Sequence, residues 1–95
     1  MFQQLPILEF DDIASVKDRF VMDAIAKASN MDLALALVDA STEMKSKFFR
    51  NMPRRRVNIV REEMLVGMRT YTLRGGELAQ KRILELVNKR IIDDL

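Results

Sequence analysis

The scarcity of helix breakers constrains the fold of this chain more than any other feature. Only three glycines and two prolines interrupt its 95 residues. Ala, Leu, Met, Lys, Arg and Glu dominate, and these residues favour helices, whereas strand-like runs rich in Val, Thr and aromatic residues are missing. A chain of this length usually forms one core. We therefore predict a single all-α domain of five or six helices joined by short loops.

Hydrophobic spacing outlines the first part of this domain. Residues 1–10 form an N-terminal segment in which Pro6 prevents an early helix, and a short turn is predicted to begin at Asp11 or Asp12. A helix over residues 17–28 would bury one stripe of side chains. That stripe consists of Val21, Ala24, Ile25 and Ala28.

Two serines indicate where the next helices begin. Ser29 and Asp32 have the spacing of a capping box ahead of a helix over residues 32–38. Ser41 is predicted to cap a helix that continues through Met52. The inward stripe of that helix contains Met44, Phe48 and Met52, and two lysines are expected to lie off the stripe, Lys45 and Lys47.

Proline and glycine divide the second half of the chain. Pro53 ends the third helix and fits the first turn of the fourth, whose inward stripe contains Val57, Val60 and Met64. Gly67 is predicted to end that helix, and residues 68–74 are predicted to form a connector that Gly75-Gly76 makes flexible or sharply bent. A long final helix is predicted from about Glu77. It carries Leu84, Val87 and Ile91 in register, with Ile83 and Leu86 beside them.

The run from Arg54 to Glu63, RRRVNIVREE, has its charges reversed relative to the helix dipole. Arginines at a helix N-terminus and glutamates near its C-terminus each cost roughly 0.3–1 kcal/mol. No Arg–Glu pair in the run has the i,i+3 or i,i+4 spacing at which helix neighbours neutralise each other. Arg55, Glu62 and Val66 lie nearly opposite the Val57 stripe, and Ile59 also points outward. We therefore expect these charges to be free for an external partner, the alternative being a solvated face that only keeps the domain soluble.

Composition argues against several classes of function. The chain has no Cys and no His, which removes thiol chemistry, most zinc sites and the usual general base. The acid pairs Asp11-Asp12, Glu62-Glu63 and Asp93-Asp94 diverge by about 100° on a helix, so none is a convergent catalytic pair. We expect no enzyme activity, no cofactor and no metal. No apolar run approaches the ~20 residues of a membrane span, and we expect a soluble, cytoplasmic protein.

A nucleic-acid partner is poorly supported. Arg54, Arg55 and Arg56 at a helix start could bind phosphate, but the net charge is only +2 and the chain has one Tyr and no Trp for stacking. Glu62 and Glu63 follow on the same helix. A bipolar charge pattern fits a protein-binding surface better, because complementary charges steer encounter and fix register.

Several short motifs together resemble a known family. They are Phe10-Asp11-Asp12-Ile13, Asp18-Arg19, Asp32-Leu33-Ala34-Leu35-Ala36-Leu37, Ala40-Ser41-x-Glu43, Lys47-x-x-Arg50-Asn51-Met52 and Ala79-Gln80-Lys81-x-Ile83. Apart from the last motif, they follow one another without a gap at the spacing of the FliG family, the flagellar motor switch proteins that carry torque in the bacterial rotor. The resemblance covers Ile7 to about Arg90 and is to the C-terminal charged-helix domain alone. It implies a compact orthogonal, armadillo-associated helical bundle over residues 11–95, preceded by residues 1–10.

The resemblance also implies sites and partners. In the family, one helix displays charges to the cytoplasmic loop of the stator subunit MotA, at the cytoplasmic face of the inner membrane in the flagellar basal body. The matching charges are Arg55, Glu62 and Glu63. Other implied partners are the switch protein FliM and neighbouring FliG copies. Ile7, Leu8, Glu9 and Phe10 occupy the place of the family's Met-Phe-x-Phe hinge and keep only its final Phe.

Some positions depart from the family pattern. A family lysine falls on Val38, and Arg54 and Arg56 are additional positive charges. The family arginine that follows the charged helix is matched by either Arg69 or Arg74. These departures are compatible with a divergent paralogue. The alternative function is a FliG-like adaptor that mediates protein assembly without a stator, for which seven Met residues and the outward Ile59 and Val66 would suit an adaptable docking surface.

Overall fold

The computed structural model describes residues 3–95, so Met1 and Phe2 of the predicted N-terminal segment lie outside the described residues. A short 3-10 helix precedes five α-helices. The 3-10 helix covers Phe10–Ser15, and the α-helices are α1 (Asp18–Lys27), α2 (Asn30–Leu37), α3 (Thr42–Phe49), α4 (Arg54–Thr70) and α5 (Leu73–Asp93). The described residues contain no strand. The predicted all-α fold is confirmed.

The predicted serine caps are present. The Ser29 hydroxyl accepts a hydrogen bond from the Asp32 N–H at 3.0 Å, and the Ser41 hydroxyl accepts one from the Met44 N–H at 3.2 Å. Each bond satisfies a backbone donor that a helix start leaves unpaired. Both helices begin at the residue after their serine.

The core forms where α5 crosses α1 and α2, and α4 packs on the other side of α2. Because α2 lies between two helices, its Leu/Ala run is apolar on nearly all sides. The stripe predicted on α1 is buried. The largest fully buried side chains include Phe20, Ile25, Leu33, Leu37, Phe48, Ile83 and Ile91.

The predicted break after Gly67 is wrong. Helix α4 continues to Thr70, and only Tyr71 and Thr72 separate it from α5. The Thr72 hydroxyl accepts a hydrogen bond from the Gly75 N–H at 3.0 Å and so caps α5. Helix α5 begins at Leu73, four residues earlier than the predicted start at about Glu77. No described glycine has a positive φ. A Cβ on Gly76 would lie 2.5 Å from the Tyr71 Oη, so this glycine provides room for a ring instead of a bend.

Two positions were assigned to the wrong side of their helices. Lys47 was expected off the buried stripe but is buried. Its Nζ donates to the Val16 carbonyl and lies 2.8 Å from an Asp18 carboxylate oxygen. Burial of a lysine requires such partners. On α5, Ile83 occupies the core position expected for Leu84, which is only half-buried.

Candidate protein interface on α4

One side of helix α4 packs against the rest of the domain, which anchors the helix, and its other sides are exposed to solvent. Val60 is fully buried, and Gly67 is buried near the Leu35 side chain of α2. Val57 and Met64 are half-buried on the same side, as predicted. The 17-residue helix therefore presents most of its remaining circumference to solvent.

An outer stripe runs along α4 opposite this anchored side. It consists of Arg55, Ile59, Glu62, Val66 and Arg69, spaced alternately by four and three residues. At 100° per residue these positions stay within a strip about 80° wide. The three charges alternate in sign and lie about 10 Å apart along the axis, given the rise of an α-helix.

The charges of the outer stripe have no partner within residues 3–95. Arg55, Glu62 and Arg69 are exposed, and none makes a hydrogen bond, ion pair or ring contact there. The same holds for exposed Arg54 and for half-buried Glu63. These side chains are therefore unpaired within the described residues, and their contact with an external partner stays a prediction.

For Arg56 the expectation of a free charge is wrong, because this side chain is hydrogen-bonded within the domain. Its Nε donates to the Asn30 Oδ1 at 2.9 Å, one guanidinium nitrogen donates to the Ile25 carbonyl at 2.6 Å, and the other donates to the Ala28 carbonyl. The Ile25 carbonyl also accepts from the Ala28 N–H at 3.1 Å and shares its second lone pair with Arg56, whereas the Ala28 carbonyl lies just past the end of α1. Arg56 therefore joins α4 to the end of α1 and the start of α2, and it is a structural residue.

Either Arg69 or Arg74 could match the family arginine, and the extension of α4 places these two residues on different helices. Arg69 lies in the last turn of α4 and completes the outer stripe. Arg74 is the second residue of α5 and is exposed. Both are without a partner in the described part of the chain.

Arg61 was missed by sequence analysis. Its guanidinium lies 4.9 Å from the centroid of the Phe49 ring of α3, a cation–π geometry. Nothing in the local sequence signals this contact, because it depends on how α3 and α4 are placed in the fold.

The predicted hinge residues lie near the N-terminus and contact α3 and α5. The backbone of Ile7 is hydrogen-bonded to the side chain of Asn88 on α5. Leu8 and Glu9 are exposed, and Phe10 is buried with its ring centroid 5.7 Å from that of Phe48. Nothing brings these residues to the outer stripe, so the two predicted sites are separate.

Other kinds of site find little support in the described residues. Among residues 3–95 there is no group of three or more Asp, Glu, Cys or His side chains placed to hold a metal ion. None of the helices described combines the length and apolar character that a membrane span requires.

The fold and the outer stripe define a class of protein, an all-helical domain that displays a charged helix. The family described as the FliG C-terminal domain matches residues 5–93. The chain belongs to this family, which confirms the resemblance seen in the sequence.

Characterised relatives and a solved structure agree with this assignment. The chain is similar to the flagellar motor switch protein FliG of Bacillus subtilis (strain 168), at 39% identity, and to that of Thermotoga maritima, at 35%, over 80 residues in each case. These matches cover 84% of this chain but only 23% and 24% of the two relatives, so the chain spans about a quarter of their length. The crystal structure of FliG residues 86–343 from H. pylori is similar with a TM-score of 0.79 and 26% identity. That match covers 87% of this chain and 39% of the other.

Proposed function

We propose that this chain is the torque-bearing domain of a flagellar rotor and switch component, and that α4 contacts a membrane-embedded stator through its outer stripe. The stator contact would be the cytoplasmic loop of MotA, at the cytoplasmic face of the inner membrane. FliM and neighbouring FliG copies would be the other partners in the switch. The domain has no catalytic role in this proposal, because the ion flow of the stator supplies the energy.

One observation supports the proposal most directly. Arg55, Glu62 and Arg69 alternate in sign along one exposed strip and are unpaired within residues 3–95. Because α4 extends to Thr70, Glu62 lies mid-helix and Arg69 is favourably placed in the last turn, so the predicted reversal of charge is wrong at the C-terminal end. Arg54 and Arg55, unpaired in the described residues, remain in the first turn, where a positive charge costs roughly 0.3–1 kcal/mol. Such an arrangement is favourable where an outside surface supplies the opposite charges.

The strength of these contacts suits a moving partner. Exposed ion pairs contribute roughly 0–1 kcal/mol each, so a contact made by two or three of them can form and break at each step. Arg54 and Arg74 would add positive potential, and Glu63 negative potential, to the electrostatic field around the outer stripe. Of the two candidates for the remaining family arginine we choose Arg69, which lies in the last turn of α4 and shares the strip with Arg55 and Glu62.

Charge reversal tests this proposal in the full-length protein in its own cells. We expect Arg55→Glu combined with Glu62→Arg to abolish swimming, and complementary reversals on the stator loop to restore it. The free energy of unfolding should not fall by more than about 0.5 kcal/mol, since the substituted side chains have no partners in the fold. Arg55→Glu also puts a negative charge in the first turn of α4, where the helix dipole favours it.

A matched control is available on α5. Glu77 and Lys81 are exposed and without a partner in the described residues, so the exchange Glu77→Lys with Lys81→Glu also preserves net charge. This control should swim normally. Unimpaired swimming of the Arg55/Glu62 double reversal would contradict the stator proposal.

A specific observation also favours the adaptor function as a second candidate. Leu65, Val66 and Met68 are each about two-thirds exposed on the second half of α4. Neighbouring exposed apolar residues of this size often mark protein interfaces. An adaptor would retain assembly with its partners after the charge reversal, whereas a stator-facing domain would lose motility.

A further inference from the structure

A groove between α3 and α4 is separate from the outer stripe. It has a volume of about 670 Å³. On α3 its wall is formed by Thr42, Lys45, Ser46 and Phe49, and on α4 by Arg61, Met64, Leu65 and Met68. On each helix the wall residues follow the spacing i, i+3, i+4 and i+7, which forms one continuous helix face.

The groove is open and apolar. Helices α3 and α4 make few close backbone approaches to each other, so their facing side chains leave space between them. Leu65 is 67% exposed and Met68 is 66% exposed. Methionine adapts its shape to different apolar partners. The wall on α4 lies roughly 80–180° around the helix from the centre of the outer stripe, so both surfaces can be occupied together.

The charges around the groove are all positive. Lys45, Arg50 and Arg61 line it, and no carboxylate does. Arg50 is paired with Asp18 at 3.1 Å, and Arg61 lies over Phe49. Lys45 has no partner in the described residues. An apolar floor with a basic rim complements an apolar ridge flanked by acids.

We propose that the α3–α4 groove binds an amphipathic helix of a partner protein whose apolar face is flanked by carboxylates. A helix laid into a groove makes contact through residues at i, i+3, i+4 and i+7, the spacing of both walls. Its carboxylates would lie against Lys45 and Arg61. This binding goes beyond the stator contact and does not depend on it.

A designed peptide provides the probe. One synthetic helical peptide has leucines at i, i+3, i+4 and i+7 with flanking glutamates, and its twin has lysines in place of the glutamates. Titration of the isotope-labelled chain, followed by NMR, should show the acidic peptide binding with a dissociation constant below about 1 mM. The lysine peptide should bind at least about tenfold more weakly, since attraction becomes repulsion at several positions. The shifted resonances should include Phe49 and Met68.

Two variants locate the binding. Met68→Glu should abolish it, whereas Leu73→Glu should preserve it, because Leu73 is 64% exposed but does not line the groove. The double reversal Arg55→Glu with Glu62→Arg should also preserve peptide binding, so failure of the stator proposal and failure of this one are distinguishable.

Several results would overturn the proposal. They are the absence of binding by either peptide at 1 mM, equal affinity for both peptides, and equal effects of the Met68 and Leu73 variants. Concentration-dependent self-association of the chain that Met68→Glu abolishes would assign the groove to a second copy instead.

Discussion

The side-chain amide of Asn88 holds the backbone of Ile7 through two hydrogen bonds. The Asn88 Oδ1 accepts from the Ile7 N–H, and the Asn88 Nδ2 donates to the Ile7 carbonyl, each at 2.8 Å. The two residues are 81 positions apart in the chain. Phe10 is fixed a few residues further on by its contact with Phe48. The predicted hinge at residues 7–10 is therefore held at both ends.

Removal of this amide should release the N-terminal segment. We expect Asn88→Ala to lower the free energy of unfolding by about 1–2 kcal/mol, the usual contribution of two hydrogen bonds. Amide hydrogen exchange at Ile7 should become faster, while exchange in the middle of α5 should be much less affected. Asn58→Ala is the control, since Asn58 is exposed and without a partner in residues 3–95. An unchanged exchange rate at Ile7 would show that the clamp does not hold the segment.

Local signals in the sequence were sufficient to predict the helices and most of the core. Ser29 and Ser41 began helices because a hydroxyl before a helix satisfies a free backbone donor, a requirement that depends on neighbouring residues alone. The stripe of α1 followed from apolar spacing in the same way.

The glycines show where local signals fail. Gly67 and Gly76 are poor helix formers, yet both lie inside helices. Of the two, Gly76 occupies a place where packing requires a small residue, whereas a Cβ at Gly67 would make only an ordinary contact with Leu35. Gly67 lies against Leu35 of α2, and Gly76 lies under the ring of Tyr71. The contact with Tyr71 is not identifiable from the chain, so at Gly76 the sequence predicted a bend where the structure has a close approach. At Gly67 the helix continues without any such approach.

The candidate site was predictable in part for a similar reason. Exposure of Arg55 and Glu62 followed from helix periodicity, because it needs only the direction opposite the buried stripe. The role of Arg56 depends on carbonyls of α1, 28 and 31 residues earlier in the chain. Such contacts are visible only once the helices are placed.

Asp18 should make stability depend on pH. Its carboxylate accepts hydrogen bonds from Lys47, Arg50 and Asn51, and these, Lys47 foremost, hold the pKa of Asp18 well below its usual range. A carboxylate with a lowered folded pKa contributes stability above its unfolded pKa, near 4, and loses it as the pH falls towards the folded value.

We therefore expect Asp18→Asn to be less stable than the parent at pH 7. The difference in unfolding free energy should shrink steadily below about pH 4, where the parent also begins to lose the contribution. Denaturant titrations at several pH values measure both. Asp39→Asn is the control and should match the parent throughout, since Asp39 is exposed and unpaired in the described residues. A difference that stays constant from pH 7 to pH 3 would exclude Asp18 as its source.

Arg55 and Arg56 are adjacent, yet their substitution should have different consequences. Arg56→Ala removes three hydrogen bonds and takes the donor from the Ala28 carbonyl, whereas the Ile25 carbonyl keeps the Ala28 N–H. We expect a loss of about 2–3 kcal/mol of unfolding free energy, as for hydrogen bonds that involve a charged group. Arg56→Lys should recover only part of it, because an ammonium cannot reproduce the planar fork that reaches three acceptors. Arg55→Ala should lower stability by less than about 0.5 kcal/mol, because Arg55 has no partner in residues 3–95 and its positive charge is unfavourable at the start of a helix.

Denaturant unfolding of the three variants measures these differences, with the slope of the transition as a check that the folded state is unaltered. Equal losses for Arg55→Ala and Arg56→Ala would show that Arg56 does not support the fold. The distinction also decides how motility defects should be interpreted. A defect from Arg56→Ala would follow from weakened attachment of α4 to the junction of α1 and α2, whereas a defect from Arg55→Ala in a stable protein would follow from a lost external contact.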